Sequence, residues 1–204
     1  MDKTIVDAET LDEVAELVGI GQQVTQITDQ AMRGEIDFHG ALRERIKLLT
    51  GQPEKVFQEV LEATPVNPGA AELIAQANAH GMTTVLISGG FEQVARPIAQ
   101  RLGFDAVYCN RLVISDEQLT GEVIEPIVDG AYKRQTLLEY MDKLSLRPQD
   151  CCAIGDGAND IPMLQTAGLG IAFQGKPKTL RATPYRIEHT DLAAALAFMG
   201  ILHP

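Results

Sequence analysis

The chain has 204 residues, 45% of them apolar and 22% charged, enough to bury one core of ordinary size. Its 17 Lys and Arg against 28 Asp and Glu leave a formal charge of -11, which repels DNA and RNA, and the sequence holds no local basic patch to offset it. No apolar run reaches the roughly 20 residues of a membrane helix, MDKTIVDAET is not a signal peptide, and Cys109, Cys151 and Cys152 form no CxxC, so a cytoplasmic, reducing location is expected.

From residue 10 to 64 the pattern is helical. Leu11, Val14, Ala15 and Val18 make one apolar stripe; Ala41, Leu42, Ile46 and Leu49, with Arg45 among them, make another. Gly19, Gly34 and Gly51 stand where helices stop, which predicts four short helices, the last over 53–63. After Pro65-Val66-Asn67-Pro68 the rhythm alternates. A helix is predicted over 70–79, a strand over 82–87 (MTTVLI), a helix over 92–102 and a strand over 106–109. Residues 112–124 alternate about Asp116-Glu117-Gln118 and read as an antiparallel hairpin. Helix 131–144, strand 151–154, helix 159–167, strand 169–172, an edge strand near 186–189 and a closing helix over 192–199 complete the chain. The order predicts a doubly wound α/β fold with a parallel sheet and a helical insertion near its beginning. Ligands of such sheets sit beyond the carboxyl ends of the strands.

Three segments there carry chemistry. Ser88-Gly89-Gly90 offers a hydroxyl and approachable N–H groups before a helix, which suits a phosphate; a plain tight turn is the alternative. Gly155-Asp156-Gly157-Ala158-Asn159-Asp160 sets two carboxylates and an amide after an apolar strand. That set suits a Mg²⁺ ion, which takes few carboxylates, several waters and phosphate oxygens; turn and helix-cap roles are the alternative. Lys133, near a helix N-terminus where a cation is electrostatically misplaced, points to an anionic partner or else to a solvated surface position.

Taken in order with Asp2-Lys3-Thr4 at the start, these motifs resemble the haloacid dehalogenase superfamily of phosphohydrolases and, within it, the phosphoserine phosphatases. The likeness runs over nearly the whole chain, through AMRGEIDFHGALRERIKLL, LISGGF, LTGEVIEPIVDGAYK, AIGDGANDIPMLQTAGLGIAF and KPKTLRATPYRIEH. It implies a phosphatase core over 1–9 and 67–204 and a helical cap over 10–66. It implies Mg²⁺ as cofactor and hydrolysis of L-phosphoserine to serine through an aspartyl-phosphate. By the same resemblance Asp2 is the general acid and then base, and Thr4 closes the first motif. Ser88 and Gly89 hold the phosphoryl group, Lys133 neutralises it, and Asn159 lies beside it. Asp2 and Asp156 serve the metal, with Asp160 in its outer shell. Glu9 meets the substrate ammonium, Arg45 its carboxylate, and Met32 and Phe38 close the pocket. The motif of these enzymes is D-x-D-x-[ST], whose first Asp attacks phosphorus. Met1 stands at its second position, so the nucleophile and the apolar strand carrying it are expected ahead of Met1. Two other readings remain open at this point: a phosphoamino-acid binder without turnover, and a phosphatase for phosphothreonine or phosphohomoserine, since one methylene is worth only about 1–3 kcal/mol of discrimination.

Overall fold

The two apolar stripes of the first 64 residues do become helices, and each turns its stripe inward. In the computed structural model, which describes residues 1–201, α1 (Thr10–Leu17) buries Leu11, Val14 and Ala15, and α3 (Phe38–Lys47) buries Ala41, Leu42 and Ile46. Between them lies α2 (Gly21–Met32), and α4 (Val56–Ala63) follows. The expected start of the last helix at 53 is corrected to Val56, because the segment before it bonds elsewhere: Gly51 and Glu54 N–H donate to the carbonyls of Leu119 and Glu117, and Leu119 N–H to that of Gln52.

Beyond Asn67 come α5 (Ala70–Ala79), β1 (Val85–Phe91), α6 (Glu92–Leu102), β2 (Ala106–Ser115) and β3 (Gln118–Ile124). Then follow α7 (Gly130–Lys143), β4 (Cys152–Gly155), α8 (Ile161–Thr166), β5 (Leu169–Phe173), α9 (Pro177–Leu180), β6 (Tyr185–Ile187) and α10 (Ala194–Phe198). A 3₁₀ turn over Ala158–Asp160 precedes α8 and takes the place of the first helical residues expected there.

β1 begins three residues later than the sequence predicts and runs on through Ser88-Gly89-Gly90, pairing Phe91 with Asn110 across a bulge. The glycines therefore lie in extended chain rather than in a turn. β2 outlasts its predicted end at Cys109 because it changes partner, running parallel to β1 as far as Asn110 and then antiparallel to β3. The two-residue hairpin loop is Asp116-Glu117 with φ of 51° and 60°, the left-handed pair that matches strand twist in such a turn.

The expected single doubly wound sheet is realised as two three-stranded sheets, β1-β2-β3 and β4-β5-β6, with all pairings parallel except β2–β3. Among the described residues, β1 and β4 each have one edge without a strand partner. A cavity of about 910 Å³ is lined by Val85, Leu86 and Ile87 of one and Cys152, Ala153 and Ile154 of the other, with Met1 and Ile5 also on its wall. The main apolar cluster runs through both the insertion and the core: Phe57 of α4 packs edge-on against Phe91 of β1, ring centroids 5.5 Å apart. The insertion's two connections run side by side, Val6 bridging Val66 and Asp7 N–H donating to the Pro65 carbonyl.

Candidate active site

The N-terminal residues fold into a tight loop in which the Met1 carbonyl accepts from the N–H groups of Thr4, Ile5 and Val6. Lys3 takes the left-handed conformation that this loop demands, at φ 54°. The loop aims two side chains at the site. The Thr4 hydroxyl donates to Asp156 Oδ1 at 2.8 Å, and Asp2 accepts from the Thr10 hydroxyl at 3.1 and 3.3 Å.

The strand ends supply the rest. Ser88 is buried in the middle of β1, just before its bulge, its Oγ accepting from Gly90 N–H at 2.9 Å. A Cβ placed on Gly90 would stand 3.1 Å from Ser88 Oγ and 3.2 Å from Asp2 Oδ2, so only glycine lets these two oxygens stand so near the strand backbone. A Cβ on Gly89 would lie 3.9 Å from both Asn159 Nδ2 and Phe38 Cζ, which brings the first glycine of the pair, the loop amide and the aromatic ring of α3 to one point. Buried Asn110 fixes this cradle, donating to the Gly89 carbonyl at 2.7 Å and accepting from Val128 N–H at 2.8 Å.

The Lys133 ammonium sits 2.7 Å from Asp160 Oδ1, both side chains almost wholly buried. Asp160 Oδ2 accepts from the N–H groups of Asp156 and Gly157 at 3.2 and 2.9 Å, so this carboxylate clamps the loop to the lysine. Burial works against the Asp160 charge, but Lys133 outweighs it and holds the carboxyl below the usual range. Asp156 and Asp2 are the reverse. Burial pushes both carboxyls up, with Asp156 adding to the rise at Asp2 and Asp160 to that at Asp156, against the opposing pull of the Met1 ammonium, a threonine hydroxyl and Lys133. The Met1 nitrogen is enclosed in the same cluster, with Lys133, Asp2, Asp160 and Asp156 as its charged neighbours.

At the cap side, half-buried Glu9 precedes α1, and its carboxylate accepts no hydrogen bond among the described residues. Burial, then Asp2, pushes its carboxyl up, and the nearby Lys176 partly offsets them. Arg45 is half-buried with Nε donating to the Ala41 carbonyl at 3.2 Å; Asp12 and Glu9 are its nearest charges. Phe38 reaches the site, whereas Met32 does not. Met32 ends α2 and is 77% exposed, so the expectation that it closes the pocket is corrected for this conformation. Sequence reasoning missed Thr10, Asn110 and Lys176. It also missed a cap-to-core pair between His39 and Asp129.

A family model described as haloacid dehalogenase-like hydrolase matches residues 1–165. The chain belongs to that family. Among this hydrolase's relatives, the phosphoserine phosphatase of Lactococcus lactis is 40% identical over 202 residues, covering 99% of this chain and 94% of that protein. The phosphoserine phosphatase of Albidiferax ferrireducens is 44% identical, covering 94% and 84%. A solved structure described as a substrate-bound phosphoserine phosphatase complex superposes with a TM-score of 0.90 at 34% identity, covering 97% of this chain and 94% of that one. The haloacid dehalogenase-like hydrolases thus account for both the α/β core and the order of its motifs. Among the described residues, no helix is long and apolar enough to cross a membrane.

Proposed function

We propose that this hydrolase is an L-phosphoserine phosphatase working with Mg²⁺ through an aspartyl-phosphate. The observation that carries the reading is Lys133. Its ammonium is buried, one of its three N–H groups donates to Asp160 Oδ1, and the other two have no acceptor among the described residues. A buried cation with spare donors, whose charge acts on Asp2 while Asp2 and the Ser88 hydroxyl stand together over Gly90, is arranged for an anion with several oxygens. Glu9 and Arg45 then match the remaining groups of phosphoserine, an ammonium and a carboxylate.

The donor set fits Mg²⁺. No group of three or more His, Cys, Asp or Glu stands together among the described residues. A Mg²⁺ that keeps its waters and takes a phosphate oxygen needs only one or two carboxylates. Asp156 and Asp2 supply hard oxygens whose only hydrogen-bond partners among the described residues are the hydroxyls of Thr4 and Thr10. Asp156 with an oxygen of Asp2 would hold the ion, and Asp160 steadies the loop from behind. The ion supplies neutralisation of phosphoryl charge.

The chain's own residues do the following. Ser88 and Gly89 orient the phosphoryl group and Lys133 balances its charge. Asp2, whose burial favours the protonated form, gives its proton to the departing serine oxygen and later takes one from the water that releases phosphate. In the D-x-D-x-[ST] motif the attacking carboxylate stands two positions before the second Asp, and with Asp2 in that second place its position falls ahead of Met1. We place it on a residue joined to the Met1 nitrogen, because that nitrogen is enclosed by Asp2, Lys133 and Asp160 and a residue attached there has its Cα about 3.8 Å from that of Met1. An apolar strand leading to it has the slot between β1 and β4 to occupy. Residues 10–66 act as the cap over this site.

Calorimetry with Mg²⁺ tests the binding half of this reading on the chain as it stands. L-phosphoserine should bind and L-serine should not, with no inorganic phosphate released. Equal affinity for both, or none for either, overturns it.

A further inference from the structure

Cap and core meet over the site through α3. Phe38 reaches Gly89, His39 Nε2 lies 3.0 Å from Asp129 Oδ2, and one turn on Arg43 pairs with Glu125. Asp129 belongs to the core and has a second duty as N-cap of α7, its Oδ1 accepting from Tyr132 N–H at 2.8 Å, one residue before Lys133. Burial opposes the Asp129 charge, but the Tyr132 N–H and then His39 hold its carboxyl below the usual range. The charged groups around His39 are Asp129 and Glu125 from the core segment before α7 and Arg43 from its own helix.

We propose that His39 is a positioning residue of this site: its ring clasps Asp129 and so holds Phe38 and the cap over Gly89. Asp129 ties that clasp to the first turn of the helix that delivers Lys133, so the cap contact and the phosphate-binding cation share one anchor. The two side chains are 39% and 29% exposed, so the gain is that of a solvent-screened pair, about two- to fivefold in ligand retention. The identity of the ligand rests on the function proposed above; the clasp itself does not.

A double-mutant cycle tests it, read by calorimetric phosphoserine affinity with Mg²⁺ at one pH. His39→Ala and Asp129→Ser should each weaken binding about two- to fivefold, and the double variant should be no weaker than either alone, because Ser keeps the helix cap but is too short to meet His39. His39→Gln, which keeps a donor toward Asp129, should recover most of the affinity lost in His39→Ala, and the loss in Arg43→Gln should multiply with that of His39→Ala. Losses of His39→Ala and Asp129→Ser that multiply, or no loss in His39→Ala, overturn the clasp. Failure of the unmodified protein to bind phosphoserine refutes the functional reading, and the same cycle read by urea unfolding then decides the clasp: coupled losses support it and independent ones refute it.

Discussion

Extending the chain ahead of Met1 by five apolar β-branched residues and an Asp should stabilise the protein strongly, because the slot between β1 and β4 has open hydrogen-bonding edges on both sides. Five residues of extended chain span about 17 Å. Three buried apolar side chains contribute about 5–9 kcal/mol. Roughly eight ladder hydrogen bonds add about 4–12 kcal/mol net, and fixing five residues opposes this by about 5–10 kcal/mol. Mid-range values leave about 7 kcal/mol, comparable with the whole stability of a typical domain. Urea unfolding followed by near-UV circular dichroism gives the change. Hydrogen exchange should show new protection at the amides of Val85–Phe91 and Cys152–Gly155, since both edges gain partners. The chain without the extension should unfold at a lower urea concentration, with a weaker near-UV signal, while its native state still binds ligand. No rise in the urea midpoint on extension, or no new protection along both strands, refutes the reasoning.

Lys133→Met leaves Asp160 buried without its cation, which costs about 3–5 kcal/mol of stability in a denaturant melt and abolishes phosphoserine binding in calorimetry. Arg45→Ala should lower affinity for phosphoserine about 10- to 100-fold and leave affinity for O-phosphoethanolamine, which lacks the carboxylate, nearly unchanged. Burial raises the Glu9 carboxyl, so its anion is disfavoured in the fold: Glu9→Gln should stabilise the free protein at neutral pH, with the difference vanishing below the unfolded value of about 4.3. In ligand binding the sign is opposite, because phosphoserine affinity needs the Glu9 anion and should fall as pH drops through its raised folded value. A pH-independent affinity ratio between the two proteins across that window contradicts the assignment.

Much of this arrangement was legible in the sequence where local signals and topology agree. The helix over 70–79 ends where His80-Gly81 says it should, and Glu92–Leu102 ends at Gly103 with φ 83°. Ser88, Asp156 and Asp160 were placed together because each follows an apolar strand, and strand ends of such sheets converge. What local pattern could not show was partner choice. β2 continues past Cys109 only because β3 waits on its other side, and Ser88-Gly89-Gly90 stays extended only because β2 holds it. The four-residue α9 is too short for a periodicity to register. Asp129 did carry a cap signal, standing before Gly130 and a helical pattern, but its His39 partner lies 90 positions away. Thr10 and Asn110 are polar residues whose roles exist only through tertiary contacts. Met32 was misplaced because a residue at a helix end can face the site or the solvent with equal local logic.

The account turns on one phosphoryl-binding cluster formed by Ser88, Lys133 and Asp156, and its most direct test is phosphate release by the chain extended with the strand and Asp. L-Phosphoserine with Mg²⁺ should yield serine and inorganic phosphate, and chelation, Lys133→Met or Asp156→Asn should each abolish the reaction while the Ala variant of the added Asp binds without turnover. A correctly folded extended chain that releases no phosphate, or one that hydrolyses an unrelated phosphate ester in preference to phosphoserine, contradicts it.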